Sequence, residues 1–141
     1  MEYRLFGGTW VLRLDRGEEV ISSLEAFCRA EKIALASVEG LGASDHAVIG
    51  LYDVSERVYH KTTFAEPMEI TSLLGNVSQK DGEVYLHLHI TLGRADSSVI
   101  GGHLNECRIS ATCELFVRPL PGTVERRLDE DVTGLNLYRF L

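Results

Sequence analysis

Two histidines placed two residues apart are the side chains in this sequence best suited to chemistry. They lie in residues 84–92, VYLHLHITL, where apolar and polar residues alternate. Alternate side chains of a β-strand share one face, so His87 and His89 would project side by side. A third histidine, His103, follows Gly101-Gly102, where a tight glycine turn would fold it back toward the same face. Because neutral imidazole is the commonest metal ligand, the pattern predicts a site for zinc or another divalent metal, with three nitrogen ligands and one open position.

The histidine pair also has an ordinary structural explanation. When five histidines are placed at random, a pair at this spacing arises in about one shuffled sequence in seven. The alternative is therefore the polar face of a half-exposed strand. The other histidines, His46 and His60, have no partner at such a spacing, and we expect both to lie at the surface or to be hydrogen-bonded within the fold.

Carboxylates and thiols supply weaker candidates. Glu69 and Glu114 lie in strand-like segments that are otherwise mostly apolar or neutral, where a buried carboxylate would need a partner or a metal. Glu69 is the candidate for a catalytic or metal-supporting carboxylate, whereas the alternative for both is a glutamate at a subunit contact or in solvent. Cys107 is a candidate ligand or nucleophile, but with no base assigned beside it a buried structural thiol is favoured.

The elements that must position these residues are mostly strands. Only one segment has the three-and-four apolar spacing of a helix, which predicts a helix over roughly residues 17–32, with Asp15 and Glu18 as a capping box. The pair Gly7-Gly8 interrupts the first strand-like segment and suggests a bulge or close backbone packing. The predicted strand segments are residues 3–14, 33–39, 47–53, 57–64, 68–78, 83–92 and 108–117.

The spacing of these segments favours a meander, with turns at glycine-containing stretches such as Gly40/Gly42 and Gly101-Gly102. Residues 125–131 are predicted to be a solvated acidic turn before a last strand. With few helical intervals to supply crossovers, the fold class is α+β: a mostly antiparallel or mixed sheet with one main helix and short helical pieces. Gly40-Leu41-Gly42 begins like a dinucleotide-binding loop but continues as strand, so no nucleotide cofactor is expected.

Length and charge narrow the function classes. A chain of 141 residues with 45% hydrophobic residues predicts one domain over residues 1–141 with its own core. The net charge of −7 disfavours nucleic acid as a direct partner. No signal peptide and no apolar run long enough for a membrane span is found, so the protein is expected to be cytoplasmic. Three cysteines without CxxC spacing fit reduced, buried thiols.

Several motifs together resemble a known family. Residues 67–78 read PMEITSLLGNVS, and Asp81-Gly82, the HLH of residues 87–89 and the VIGGHL of residues 99–104 follow. The segment before the predicted helix, the helix itself and residues 38–43, VEGLGA, also match in position. The combined pattern, which covers nearly the whole chain, resembles the plants and prokaryotes conserved (PPC) domain in its prokaryotic stand-alone form.

The resemblance implies an α+β domain that assembles as a homotrimer. Plant members carry AT-hook segments that bind DNA, but this acidic chain has no such basic hook, so DNA binding is not carried over. The fold is also similar to that of α-acetolactate decarboxylase, a lyase whose zinc is held by an HxH pair and a later histidine with carboxylate help. His87 and His89 match that pair, His103 is the candidate third ligand, and Glu69 is the candidate supporting carboxylate.

Two functions fit these residues. The first is a trimeric zinc-binding protein whose three-histidine site binds or acts on a small molecule. The alternative is a non-catalytic trimeric module that binds a protein or a ligand. The trimer also follows from the many strands, since a single helix cannot cover all sheet edges and apolar faces. Residues 109–117 and 68–74 are the expected contributors to the subunit contact.

Overall fold

The computed structural model describes residues 1–140 and consists of one helix and a nine-stranded sheet. The elements in chain order are β1 (Glu2–Phe6), β2 (Thr9–Asp15), α1 (Val20–Ala30), β3 (Ala36–Asp53), β4 (Val58–Phe64), β5 (Met68–Lys80), β6 (Glu83–Gly93), β7 (Val99–Pro119), β8 (Glu125–Leu128) and β9 (Asn136–Arg139). The α+β prediction is confirmed, with one helix and no further helical pieces in residues 1–140.

The sheet is antiparallel except for a single parallel pairing between β5 and β8. Its central strands do not form the expected meander, because β3 lies between β5 and β7, and β6 also pairs with both β5 and β7. These four strands therefore pair in a closed cycle, to which β4 adds on β3 and the β1–β2 hairpin adds on β7. Pairing on both sides covers both edges of β3 and of the second half of β6, whereas residues 83–88 of β6 pair with β5 alone.

The core consists of the inward-facing residues of the strands and one face of α1. Buried and exposed residues alternate along β5, β6 and the second half of β7, as the period of a half-buried strand requires. The helix contributes its three-and-four stripe. Its buried residues are Val20, Leu24, Phe27 and Cys28.

The helix is shorter than predicted, and a different residue caps it. Glu19 is the N-cap, and its carboxylate accepts hydrogen bonds from the backbone N–H groups of Ile21 and Ser22. The predicted partners Asp15 and Glu18 do interact, since the Asp15 N–H donates to Glu18 Oε2 at 2.7 Å, but they do so in the turn before the helix. A glutamate near the predicted position does cap the helix, but it is Glu19 and not Glu18.

Several glycines act differently from the prediction. Gly7 and Gly8 have φ values of 52° and 86° and form the β1–β2 hairpin turn, not a bulge. Gly40 and Gly42 lie inside β3, where the register shifts, so the two segments predicted on either side are one long strand. A strand interrupted by a bulge keeps its direction, which explains why a turn was expected where none occurs.

The C-terminal prediction was wrong in part. Within the stretch expected to be a solvated acidic turn, residues 125–128 form β8, and Arg126 is only 7% exposed. The last strand was predicted and is β9.

The cysteine prediction is confirmed, because Cys28, Cys107 and Cys113 are free and buried. Burial raises the pKa of Cys107 to about 11. Burial outweighs the opposing hydrogen bond with Ser44, so the thiol is protonated at neutral pH and is not an activated nucleophile. The only helix in residues 1–140, with 11 residues, is too short to cross a membrane.

Candidate metal centre

Three histidines from two neighbouring strands come together on the outer face of the sheet. His89 of β6 pairs directly with His103 of β7, and His87 precedes His89 by two residues on the same face. The three ring centroids are 5.2 to 5.5 Å apart. One ring nitrogen from each histidine lies within 4.8 Å of the other two. The structure thus brings together the three side chains that the sequence singled out.

The third histidine is placed by strand pairing and not by the glycine turn that was expected. The chain reverses earlier, between Arg94 and Ser98, where the Arg94 N–H donates to the Ser98 carbonyl oxygen. Gly101 and Gly102 lie inside β7 and have no positive φ. A Cβ on Gly102 would lie 2.7 Å from the carbonyl oxygen of Gly50 in β3, so the glycine permits close approach of the strands. Glycine in a strand interior often has this purpose.

The geometry fits a tetrahedral metal ion. His87 Nε2 and His89 Nε2 lie 3.2 Å apart. Two nitrogens bound at about 2.0–2.1 Å to tetrahedral zinc are themselves about 3.3–3.4 Å apart, so the pair already has the spacing of two ligands. A nitrogen of His103 lies within 4.8 Å of both, so it is the third candidate ligand. With three protein ligands, one coordination position would face the space outside the sheet.

Partial burial keeps His87 and His103 in the form that binds metals. Burial, with smaller contributions from the charges of His103, Arg126 and His89, lowers the pKa of His87 to about 4. Burial and the charge of His89 likewise lower the pKa of His103. Both rings are therefore neutral at pH 7, with a lone pair available for a metal.

The histidines form one wall of a pocket of about 520 Å³, a size typical of small-molecule sites. The residues that line it are Gly50, Leu51, Tyr52, Tyr59, Tyr85, His87, His89, Gly102, His103, Arg126, Leu135, Asn136 and Leu137. None of these is an aspartate or a glutamate, although the chain has 21 acidic residues.

A tyrosine forms the second wall. Tyr59 of β4 meets His103 edge to face, with ring centroids 6.0 Å apart, and its hydroxyl accepts a hydrogen bond from Asn105 Nδ2 at 2.6 Å. The ring lies where a Cβ on Gly50 would be, so only glycine at that position leaves room for it. The tyrosine ring therefore packs beside His103, while its hydroxyl is held by Asn105.

The third wall is the β8–β9 hairpin, with Arg126 at its centre. The guanidinium lies between the rings of Tyr85 and Tyr138, at 4.7 and 4.3 Å from their centroids. It donates to Ser78 Oγ at 2.8 Å and to Asn76 Oδ1 at 3.0 Å. Sequence reasoning missed this residue, and no local pattern distinguishes it from its neighbour Arg127.

The other candidate residues lie elsewhere. Glu69 is exposed at the start of β5 and pairs with Gly93, at the far end of the β5–β6 ladder from His87. It is five residues, roughly 16 Å of strand, from Leu74, the partner of His89, and so does not reach the cluster. Glu114 is also exposed.

The remaining two histidines are also outside the site. His46 lies 3.4 Å from Glu106, and His60 is exposed on β4. His60 thus lies at the surface, and His46 is half-buried beside a carboxylate, in line with the expectation of surface or internally partnered histidines.

Comparison with solved structures shows the same fold in several prokaryotic proteins. A metal-containing protein of Archaeoglobus fulgidus is 41% identical, with 99% of this chain and 97% of that chain covered and a TM-score of 0.89. A candidate DNA-binding protein of Bacteroides thetaiotaomicron is 34% identical, with coverage of 99% and 96% and a TM-score of 0.95. A plant- and prokaryote-conserved protein of Pyrococcus horikoshii is 31% identical, with coverage of 99% and 96% and a TM-score of 0.86.

A comparison with curated proteins gave no match. The family model of the Plants and Prokaryotes Conserved (PCC) domain matches residues 1–121, which include the three histidines but end before β8. The resemblance seen in the sequence is thereby confirmed, and the chain belongs to the Plants and Prokaryotes Conserved domain family.

Proposed function

We propose that this protein binds one zinc ion per chain through His87, His89 and His103 and uses the open coordination position to bind a small molecule in the adjoining pocket. The observation that carries the proposal is the convergence of three imidazole nitrogens within 4.8 Å of one another. A relative 41% identical to this chain is described as containing a metal, which supports the same conclusion. When bound, zinc would supply a Lewis acid for a carbonyl oxygen or a water molecule.

The pocket favours ligand binding over an assigned reaction. A general acid or base must lie within hydrogen-bond reach of the reacting atom. Tyr52, Tyr59 and Tyr85 supply the hydroxyl groups of the pocket wall, and no aspartate or glutamate lines it in residues 1–140. Metal-dependent binding of a small molecule is accordingly the core of the proposal. The alternative is a module that only contacts other proteins, with the histidines as a polar surface.

The test is elemental analysis of protein purified in the presence of zinc and then dialysed. The variant His87→Ala plus His89→Ala removes two of three ligands and should retain no stoichiometric zinc. The variant His46→Ala plus His60→Ala removes the same number of imidazoles outside the cluster and should retain one zinc per chain. Stoichiometric zinc in the first variant would overturn the assignment, as would its absence from the wild type.

The proposed assembly is a homotrimer. Leu74 of β5 and Phe116 of β7 are 56% and 42% exposed, and both pair with Glu39 of β3, so they lie in one row across the outer face. Leu41, two residues after Glu39 on the same face, is also exposed. These residues belong to the two segments expected from the sequence to form the contact, together with the strand between them. A closed trimer would cover these three exposed apolar side chains around Glu39, of which Leu74 is the direct cross-strand partner of His89.

The chain is proposed to act as a single domain. The sheet is continuous from the β1–β2 hairpin to the β8–β9 hairpin. The three histidines lie in residues 1–121, which match the family model, whereas Arg126 and residues 135–137 of the pocket wall follow that match.

A further inference from the structure

The buried guanidinium of Arg126 has an environment that is unusual for a charged group. Arg126 is only 7% exposed. None of the ion pairs found in residues 1–140 includes it. Buried charges are normally paired with an opposite charge, because leaving water is costly. The chain has a net charge of −7, so it is notable that no carboxylate of residues 1–140 forms an ion pair with the Arg126 guanidinium.

The hydrogen bonds of Arg126 leave part of its donor capacity free. Its Nε donates to Ser78, its Nη1 to the Asn136 carbonyl oxygen at 2.8 Å, and its Nη2 to Asn76. A guanidinium carries five N–H groups, so two have no protein acceptor in the described part of the chain. The faces of the guanidinium are covered by Tyr85 and Tyr138, which leaves its edge as the surface available to a ligand.

The same contacts fix the position of Arg126 relative to the histidines. Asn76 is the direct cross-strand partner of His87, and Ser78 is that of Tyr85. The guanidinium therefore lies over two successive residue pairs of the β5–β6 ladder, next to the metal centre on the same face. Successive same-face residues of a strand are roughly 7 Å apart, which is the length of a small organic molecule with a few carbons.

We infer that the pocket takes a small carboxylate that has a second oxygen donor, with the carboxylate on the edge of Arg126 and the second oxygen at the open position of the metal. This inference rests on the proposed function and names the ligand class of the same site. Arginine suits this role because its planar fork matches two carboxylate oxygens at once. No aspartate or glutamate of residues 1–140 lines the pocket wall, so none of these side chains repels an anion there.

Succinate, which has a carboxylate at each end, is the probe. Succinamide and butyrate are the comparison ligands. Calorimetric titration of the zinc-loaded protein should show succinate binding at least about tenfold more tightly than succinamide, which has the same shape without charge, and than butyrate, which lacks the second oxygen donor. Equal binding of succinate and succinamide, or no binding of either, would overturn the inference.

Two matched variants separate a ligand contact from a structural role. Arg126→Lys keeps the charge but loses the fork, and it should weaken succinate binding about tenfold without changing the zinc content. Arg127→Lys, at the exposed neighbouring position, should leave both unchanged. An Arg126→Lys variant with wild-type succinate affinity would contradict the inference. If that variant does not fold, the comparison of succinate with succinamide on the wild type decides.

Zinc content distinguishes the two claims. A protein that binds one zinc but does not discriminate succinate from succinamide retains the proposed function and loses this inference. A folded protein that takes up no zinc loses the proposed function, and the same titration on that metal-free protein then tests Arg126 alone. A preference for succinate there, lost in Arg126→Lys, would still support a carboxylate subsite, and its absence would overturn one.

Discussion

His89 of β6 and His103 of β7 face each other directly across one antiparallel ladder, with ring centroids 5.5 Å apart. On its other side, His103 pairs with Gly50 of β3. The third nitrogen of the metal centre is therefore fixed by the register of two ladders and not by a loop. Strands hold side chains in place more rigidly than loops do, which favours a preorganised site.

This dependence on register predicts a large effect of a methyl group at Gly102. In Gly102→Ala, the new Cβ would lie 2.7 Å from the Gly50 carbonyl oxygen, a backbone atom that moves only with β3. We expect a loss of about 1–3 kcal/mol in the free energy of unfolding and weaker zinc binding, because His103 is the next residue. Urea unfolding and zinc titration measure the two effects.

Gly93→Ala is the matched control for that change. Its new Cβ would meet the Thr71 side-chain methyl at 3.2 Å, which can move, and would otherwise make only ordinary contacts with Glu69 at 3.9 Å. Zinc binding should stay at the wild-type level. Wild-type stability in Gly102→Ala would show that the close approach of β7 and β3 does not position the site.

The lowered pKa of His87 predicts an acid-sensitive metal-free protein. Burial places this pKa at about 4 in the folded chain, against an ordinary value of 6.5. Between these values the unfolded chain binds a proton that the folded chain does not, so stability is complete above about pH 6.5 and falls as the pH decreases toward 4. Urea midpoints of the chelator-treated protein at pH 7 and pH 5, at one protein concentration, measure the loss.

The variant His87→Asn removes this titrating group. Its urea midpoint should decrease less between pH 7 and pH 5 than that of the wild type. Equal decreases in the two proteins would show that His87 does not contribute to the pH dependence.

The proposed trimer predicts a mass of about 47 kDa, three times the 15.7 kDa of the chain, by light scattering at low micromolar concentration. Phe116→Glu places a charge among the exposed apolar residues Leu41, Leu74 and Phe116 and should shift the mass toward that of the monomer. Val132→Glu changes an even more exposed apolar residue, 70% against 42%, outside the sheet and should leave the mass unchanged. A wild-type mass near that of one or two chains would contradict the proposed assembly.

Direct DNA binding is expected to be absent, even though one solved relative is named as a candidate DNA-binding protein. Non-specific affinity for DNA comes mainly from basic residues that displace counterions, and this chain has 14 lysines and arginines against 21 acidic residues. Micromolar protein should not retard an AT-rich duplex in a gel at about 150 mM salt. A retarded band that disappears with rising salt would overturn this expectation.

Local patterns were sufficient for some elements and not for others. The alternation in β6 placed His87 and His89 on one face because strand period is a property of neighbouring residues. The first half of β7 was missed, since Gly101 and Gly102 have low strand propensity and are accommodated only by close contacts with β6 and β3. Arg126 could not be found either, because its burial depends on contacts with β5 and β6, which lie about 40 to 50 residues away in sequence, as well as on the nearer β9.

The central claim, zinc held by three histidines with one position open, is tested most directly by X-ray absorption at the zinc edge on the stoichiometrically loaded protein. The predicted spectrum has three imidazole nitrogens at about 2.0–2.1 Å, one further oxygen ligand, and no sulfur. A sulfur shell at about 2.3 Å, or fewer than three imidazoles around the ion, would show that His87, His89 and His103 do not form the metal site.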